Sequence, residues 1–166
     1  MGGCNRAATI AAPPAHYLTC ELVHGASGYL ALVLAGLMHG VDRDEVLSPD
    51  WEPLQRLRAD HPLHPAVDEV VAGSFRRRSP PEIVGSGYVV KSLEAALWAF
   101  HSAEHFREAV LKAVNLGNDA DTTGAVCGQL AGAYWGVAGI PPEWLDGLAR
   151  REELERAVGA LQASCR

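Results

Sequence analysis

Asp119, Asp121, Thr122 and Thr123 crowd two carboxylates and two hydroxyls into one short stretch, Asn115-Leu116-Gly117-Asn118-Asp119-Ala120-Asp121-Thr122-Thr123-Gly124. The cluster offers only oxygen ligands, which suits a hard divalent cation, Mg2+ or Mn2+, better than zinc or copper. Residues two apart do not share a helix face, so Asp119 and Asp121 converge only in the turn that enters a helix. There the free backbone N–H groups and the positive dipole end also favour carboxylates. Asp119, Asp121 and Thr122 are therefore the candidate metal ligands. Asn115, Asn118 and Thr123 are expected beside them in supporting or turn roles. The competing reading is a cluster that satisfies helix-end donors and binds no ion.

Two other motifs fit the string less well. An EF-hand needs a bidentate glutamate at loop position twelve, where this chain has Leu130. The Asp-x-Asp-x-Thr signature of haloacid-dehalogenase-like phosphotransferases follows a hydrophobic strand near the N-terminus, whereas this one lies late in a helical chain. Gly85-Ser86-Gly87-Tyr88 is a second candidate, since a nest of backbone amides can hold a diphosphate or a ribose. An ordinary turn before a helix is the plainer account of those four residues. His101 and His105 are four apart, a spacing that can chelate zinc, but no third ligand follows at a suitable distance. They and the pair His61 and His64 read as solvated.

The elements that must carry these groups are helices. Apolar spacing predicts helices over about Cys20–Met38, His64–Gly73, Val89–Phe100, Glu104–Val114 and Thr122–Val137. Shorter ones are expected around Glu45-Val46-Leu47, over Pro141–Leu148 and over Glu152–Leu161. Prolines 49, 53, 62 and 65 punctuate the stretch between the first two long helices, and Arg76 to Gly87 reads as loop. No run alternates as a strand would, so the fold class is all-α, a compact orthogonal helical bundle. Residues 1–19 read as a disordered or atypical lead to a domain over 20–166. Gly124, Gly128, Gly132 and Gly136 recur every fourth residue. Each interior glycine costs up to about 1 kcal/mol relative to alanine, so the stripe predicts a central helix tightly wedged against neighbours.

With 48% hydrophobic and 20% charged residues, the 166-residue chain has the balance of one globular domain. Its net charge of −6 argues against nucleic acid as a partner. Cysteines 4, 20, 127 and 165 show no C-x-x-C spacing, as expected of reduced thiols in a cytoplasmic protein. Residues 22–38 and 122–140 are apolar enough to raise membrane insertion. His24, Ser27 and the aspartates interrupt or bound them without an aromatic belt, so buried helices are preferred to a membrane partner.

The aspartate string resembles the second metal motif of the ADP-ribosylglycohydrolase family, enzymes similar to dinitrogenase reductase-activating glycohydrolase. Residues 85–100, Gly-Ser-Gly-Tyr-Val-Val-Lys-Ser-Leu-Glu-Ala-Ala-Leu-Trp-Ala-Phe, resemble its substrate-side loop and following helix. Residues 128–136 and Ile140-Pro141-Pro142-Glu143-Trp144-Leu145 are similar to its closing helices. The resemblance implies an ADP-ribosylglycohydrolase-like fold and a metal-dependent hydrolase. Such an enzyme cleaves the N- or O-glycosidic bond between ADP-ribose and a modified side chain. It further implies a dinuclear Mg2+ or Mn2+ centre, with Gly85, Ser86, Gly87 and Tyr88 lining the ADP-ribose cleft. The partner would be an ADP-ribosylated protein or an ADP-ribose-containing small molecule.

The family builds its site from two halves, and the first supplies Gly-Asp-x-x-Gly and Thr-Asp-Asp-Thr stretches that occur nowhere here. The chain therefore resembles the C-terminal half of a glycohydrolase, with at most a partial metal site. No catalytic acid or base is identified within it. Two expectations stand side by side: a hydrolase completed by a complementary N-terminal fragment, or a catalytically inactive remnant or ADP-ribose-binding module.

Overall fold

The computed structural model describes residues 20–164; the expected lead at 1–19 lies outside them. Ten α-helices make up the described chain, and no strand occurs among the described residues. They are α1 (Cys20–Met38), α2 (Arg43–Val46), α3 (Glu52–Asp60), α4 (Pro65–Val71) and α5 (Ser74–Arg77). After a loop come α6 (Val89–His101), α7 (Phe106–Val114), α8 (Ala120–Trp135), a 3-10 turn (Val137–Gly139), α9 (Pro142–Asp146) and α10 (Arg151–Ser164). The all-α expectation holds.

α1 follows its apolar pattern and stops where that pattern does. Leu22, Ala26, Tyr29, Val33 and Leu37 recur at helical spacing and are buried. The chain leaves the helix through Gly40, whose φ of 79° is a left-handed exit that glycine adopts without a Cβ penalty. By length and composition Glu21–Met38 could cross a membrane. Here α1 packs against α4, α6 and α8.

α3 and α5 were not expected. The prolines between α1 and α4 read as breakers, yet Pro53 and Pro65 sit in the first turns of α3 and α4. A first-turn proline costs no hydrogen bond and has a preset φ, so it starts a helix rather than ending one. Leu54 then anchors α3 in the core.

α6 is the more buried of the two site helices. Val90, Leu93, Ala96, Leu97 and Phe100 are buried on it together with the polar Ser92 and Glu94. α8 packs against α6, α7 and α1 but buries only Thr123, Cys127, Leu130 and Ala131. Burial pushes the Cys127 thiol up to about 12, which keeps it protonated and inert at neutral pH.

α8 is central as the stripe predicts, packed against α6, α7 and α1, but the stripe itself is wedged only at its first glycine. Only Gly124 meets a neighbour at close range, with Val114 Cγ1 2.7 Å from where its Cβ would stand. Nothing lies within 4 Å of a Cβ at Gly128 or Gly132, and Gly136 serves as a left-handed helix end with φ 68°. The stripe drifts around the helix, so its first member faces α7 while the middle two turn outward. α10 projects further still: residues 151–163 are all exposed, Leu154 and Val158 among them.

Candidate functional site

The aspartate turn is shaped by its backbone. α7 ends at Val114, and Gly117 (φ 73°) and Asn118 (φ 51°) then take left-handed conformations in succession. Asparagine tolerates this region better than most side chains, so Asn118 has the expected turn role. The reversal delivers Asp119 to the N-cap position of α8 and Asp121 to its first turn. Asp119 does not cap with its carboxylate, for it accepts no backbone N–H of the helix. Instead Thr122 Oγ1 donates to Asp119 Oδ1 at 2.9 Å, and Thr123 Oγ1 donates to the Asp119 carbonyl at 2.9 Å.

Asp121 is exposed at the mouth of this turn. Its carboxyl is held below the ordinary aspartate range by the Thr122 backbone N–H, then by its contact with the Asp119 carboxyl and by its own N–H. Two carboxyl groups and a hydroxyl thus meet at one exposed helix start, with solvent able to complete a coordination shell. That donor set suits Mg2+ or Mn2+ and offers nothing for a softer metal. No cluster of three or more His, Cys, Asp or Glu forms among the described residues.

The second candidate lies against the first. At Gly85, a Cβ would stand 2.5 Å from the Gly117 carbonyl oxygen and 3.4 Å from Thr123 Oγ1, which leaves no room for any side chain. At Gly87, a Cβ would stand 3.6 Å from Asp119 Oδ2. The Gly85–Tyr88 loop and the aspartate turn are therefore in direct contact. Ser86 shapes the loop from within: its Oγ accepts the Tyr88 N–H at 3.2 Å, and its carbonyl accepts the Ser92 hydroxyl from α6. Tyr88 is half-buried against the core at the N-cap of α6.

Beyond this junction a cavity of about 230 Å³ opens between α1, α6 and α8. Gly87, Ser92, Ser27, Leu30, Thr122 and Val126 line it. A larger groove of about 670 Å³ runs before the junction, where Ile83 and Val84 face Leu111 and Leu116. Asn115 lines that groove instead of joining the aspartates.

Among the described residues the histidines form no metal site. His101 ends α6 with its ring edge-on to Phe75, and His105 caps α7 by accepting the Glu108 N–H at 3.1 Å. His64 likewise caps α4, accepting the Ala66 N–H at 3.2 Å. The solvated reading missed both capping roles. A sequence signal existed, since His64 precedes Pro65 at a helix start and His105 stands three residues before Glu108.

Glu94 is a residue that sequence reasoning overlooked. It is buried on α6 and accepts hydrogen bonds from Ser74 Oγ (2.5 Å), Arg78 Nη1 (2.6 Å) and Lys91 Nζ (2.8 Å). Burial alone would raise its pKa, but the bonds from Lys91, Ser74 and Arg78 outweigh this and hold the carboxyl below its ordinary value.

Comparison with known proteins agrees with this architecture. The profile described as ADP-ribosylglycohydrolase matches residues 8–166. The ADP-ribosylarginine hydrolase Tri1 of Pseudomonas putida (strain GB-1) is 40% identical over 132 residues, covering 80% of this chain and 33% of the relative. The ADP-ribosyl-[dinitrogen reductase] glycohydrolase of Rhodospirillum rubrum is 41% identical over 80 residues, covering 47% of this chain and 27% of the relative. A solved structure titled ADP-ribosylglycohydrolase-related protein complex superposes with a TM-score of 0.69 at 45% identity, covering 79% of this chain and 43% of that one. The chain spans about a third of the length of the Pseudomonas relative. With the fold, the loop and the aspartate turn in hand, the chain belongs to the ADP-ribosylglycohydrolase family.

Proposed function

We propose that this chain contributes the ADP-ribose-binding part of a glycohydrolase acting on ADP-ribosylated side chains. The observation that carries the proposal is the contact of the Gly85–Tyr88 loop with the Gly117–Asp121 turn, beside a cavity between α1, α6 and α8. The loop amides and the Ser86 hydroxyl would take the diphosphate and ribose oxygens. Asp119, Asp121 and Thr122 would hold Mg2+ or Mn2+. When bound, the ion supplies positive charge that orients ribose hydroxyls and stabilises charge developing at the scissile bond. Thr122 contributes by donating to the Asp119 carboxylate and Thr123 by donating to the Asp119 main-chain carbonyl, so the residue is held before any ligand arrives. An ADP-ribosylated protein is the proposed partner, in keeping with the names of the relatives.

Three protein oxygens at one helix start hold an ion weakly, and catalysis needs a fixed and complete shell. The chain also spans a third to two-fifths of its relatives. The incomplete shell favours a second part of the reading: hydrolysis requires ligands beyond those of this turn, such as a complementary N-terminal polypeptide would supply. Calorimetry with ADP-ribose and Mn2+ tests the first part. Saturable heat lost in Asp121→Asn is expected, and no heat at millimolar ADP-ribose would sink it. For the second part, the chain alone should release no ADP-ribose from ADP-ribosyl-arginine, and metal-dependent turnover by the chain alone would overturn it.

A further inference from the structure

The loop between α5 and α6 is closed at its base by one buried carboxylate. Arg78 stands immediately before the loop and Lys91 shortly after it. Glu94 receives both: Oε1 accepts from Arg78 at 2.6 Å and Oε2 accepts from Lys91 at 2.8 Å. Ser74, on the helix that leads into the loop, adds a third donor at 2.5 Å. The second terminal nitrogen of Arg78 pairs with Glu69 on α4, so the entry side is held from two helices. Further along, Ser92, two residues before Glu94 on α6, fixes the Ser86 carbonyl.

A carboxylate that is only 1% exposed is costly, and an apolar residue would fill the same space at less cost. What an apolar residue cannot do is tie the cation at the loop's entry to the helix at its exit: Lys91 shares α6 with Glu94, and Arg78 with Ser74 reaches across. The grip acts where precision is needed, since Gly85 must stay against Gly117 and Gly87 beside Asp119. We propose that Glu94 is a positioning residue for the ligand site, clasping both ends of the loop so that Gly85–Tyr88 is held against the aspartate turn. The link to ADP-ribose rests on the function proposed above, whereas the clasp itself rests on geometry alone.

The test compares Glu94→Gln with Arg78→Gln, which alters a half-exposed residue and keeps the α6 core intact. Amide hydrogen exchange is read in the full chain without ligand, and ADP-ribose affinity by calorimetry with Mn2+. In both variants exchange at Gly85–Tyr88 rises by about tenfold or more, while Ala95–Phe100 in mid-α6 stays within about twofold. ADP-ribose affinity falls by about tenfold alongside. Exchange that rises equally in the loop and in α6 would reduce Glu94 to a general packing residue, and an unchanged loop would overturn the clasp outright. Should the wild-type chain bind no ADP-ribose, the proposed function fails while the exchange comparison still decides the clasp.

Discussion

The Arg43 guanidinium lies 5.4 Å from the centre of the Tyr134 ring, which joins the start of α2 to the end of α8. Phe100 and Trp135 stand within 5.9 Å of the same group. The guanidinium also donates to the Ala103 carbonyl at 2.7 Å and the Phe100 carbonyl at 3.3 Å, satisfying the C-terminal end of α6. Arg43→Met should therefore cost about 2 kcal/mol, from charged hydrogen bonds and cation–π contact together. Arg43→Lys should recover part of this, since it keeps the charge and loses the fork. Urea denaturation measures both, and a Met variant as stable as wild type would refute the role.

Two glycine-to-alanine changes should have opposite signs. Gly85→Ala puts a Cβ 2.5 Å from a backbone oxygen that cannot swing aside, and a loss of about 1–3 kcal/mol is expected. Gly128→Ala puts a Cβ into open space inside a helix, and a gain of up to about 1 kcal/mol is expected. Thermal melts of the two variants settle the matter, and a destabilised Gly128→Ala would mean that something already packs there.

Glu94 makes stability depend on pH in a defined direction. Its folded carboxyl titrates below the ordinary value, so the folded chain binds fewer protons than the unfolded one in that window. The stabilisation is complete above the unfolded glutamate pKa, about 4.3, and is lost as pH falls through the lower folded value. Melting curves from pH 7 to pH 3 should fall less steeply for Glu94→Gln than for wild type. Parallel profiles would show that the carboxyl titrates alike in the folded and the unfolded chain.

Tyr29 is fully buried, and its hydroxyl has no hydrogen-bond partner among the described residues. Burial raises its pKa far above the ordinary tyrosine value, against the weaker influence of Arg76 and Arg58. Removing an unsatisfied polar atom restores what its desolvation costs, so Tyr29→Phe should equal or exceed wild-type stability by about 1 kcal/mol. A clear loss in chemical denaturation would reveal a partner for the hydroxyl.

How far the sequence was legible follows from the range of each interaction. The C-terminal end of α1 could be read to the residue because a local apolar period ends at Met38 and Gly40 follows. α3 was lost because Pro53 was weighed as a breaker without its position in the turn. The aspartate turn was foreseen from residue chemistry, including its place at the start of α8. Its contact with Gly85 was not, since a long-range approach to a backbone carbonyl leaves no mark except the glycine that receives it. The outer glycines of α8 misled for the same reason: a missing side chain tells what is absent, not what comes near. Glu94 escaped notice because its partners come from three segments.

The seam between Gly85 and Gly117 has a thermodynamic consequence. With a carbonyl oxygen 2.5 Å from the place of a Cβ, neither segment can shift toward the other, so the two are ordered or disordered together. Any ligand that steadies the aspartate turn then lowers the entropy cost of a ligand on the loop. By reciprocity the second steadies the first by the same factor. Cooperativity between cation and nucleotide would thus need no moving part, only one glycine seated against a backbone carbonyl.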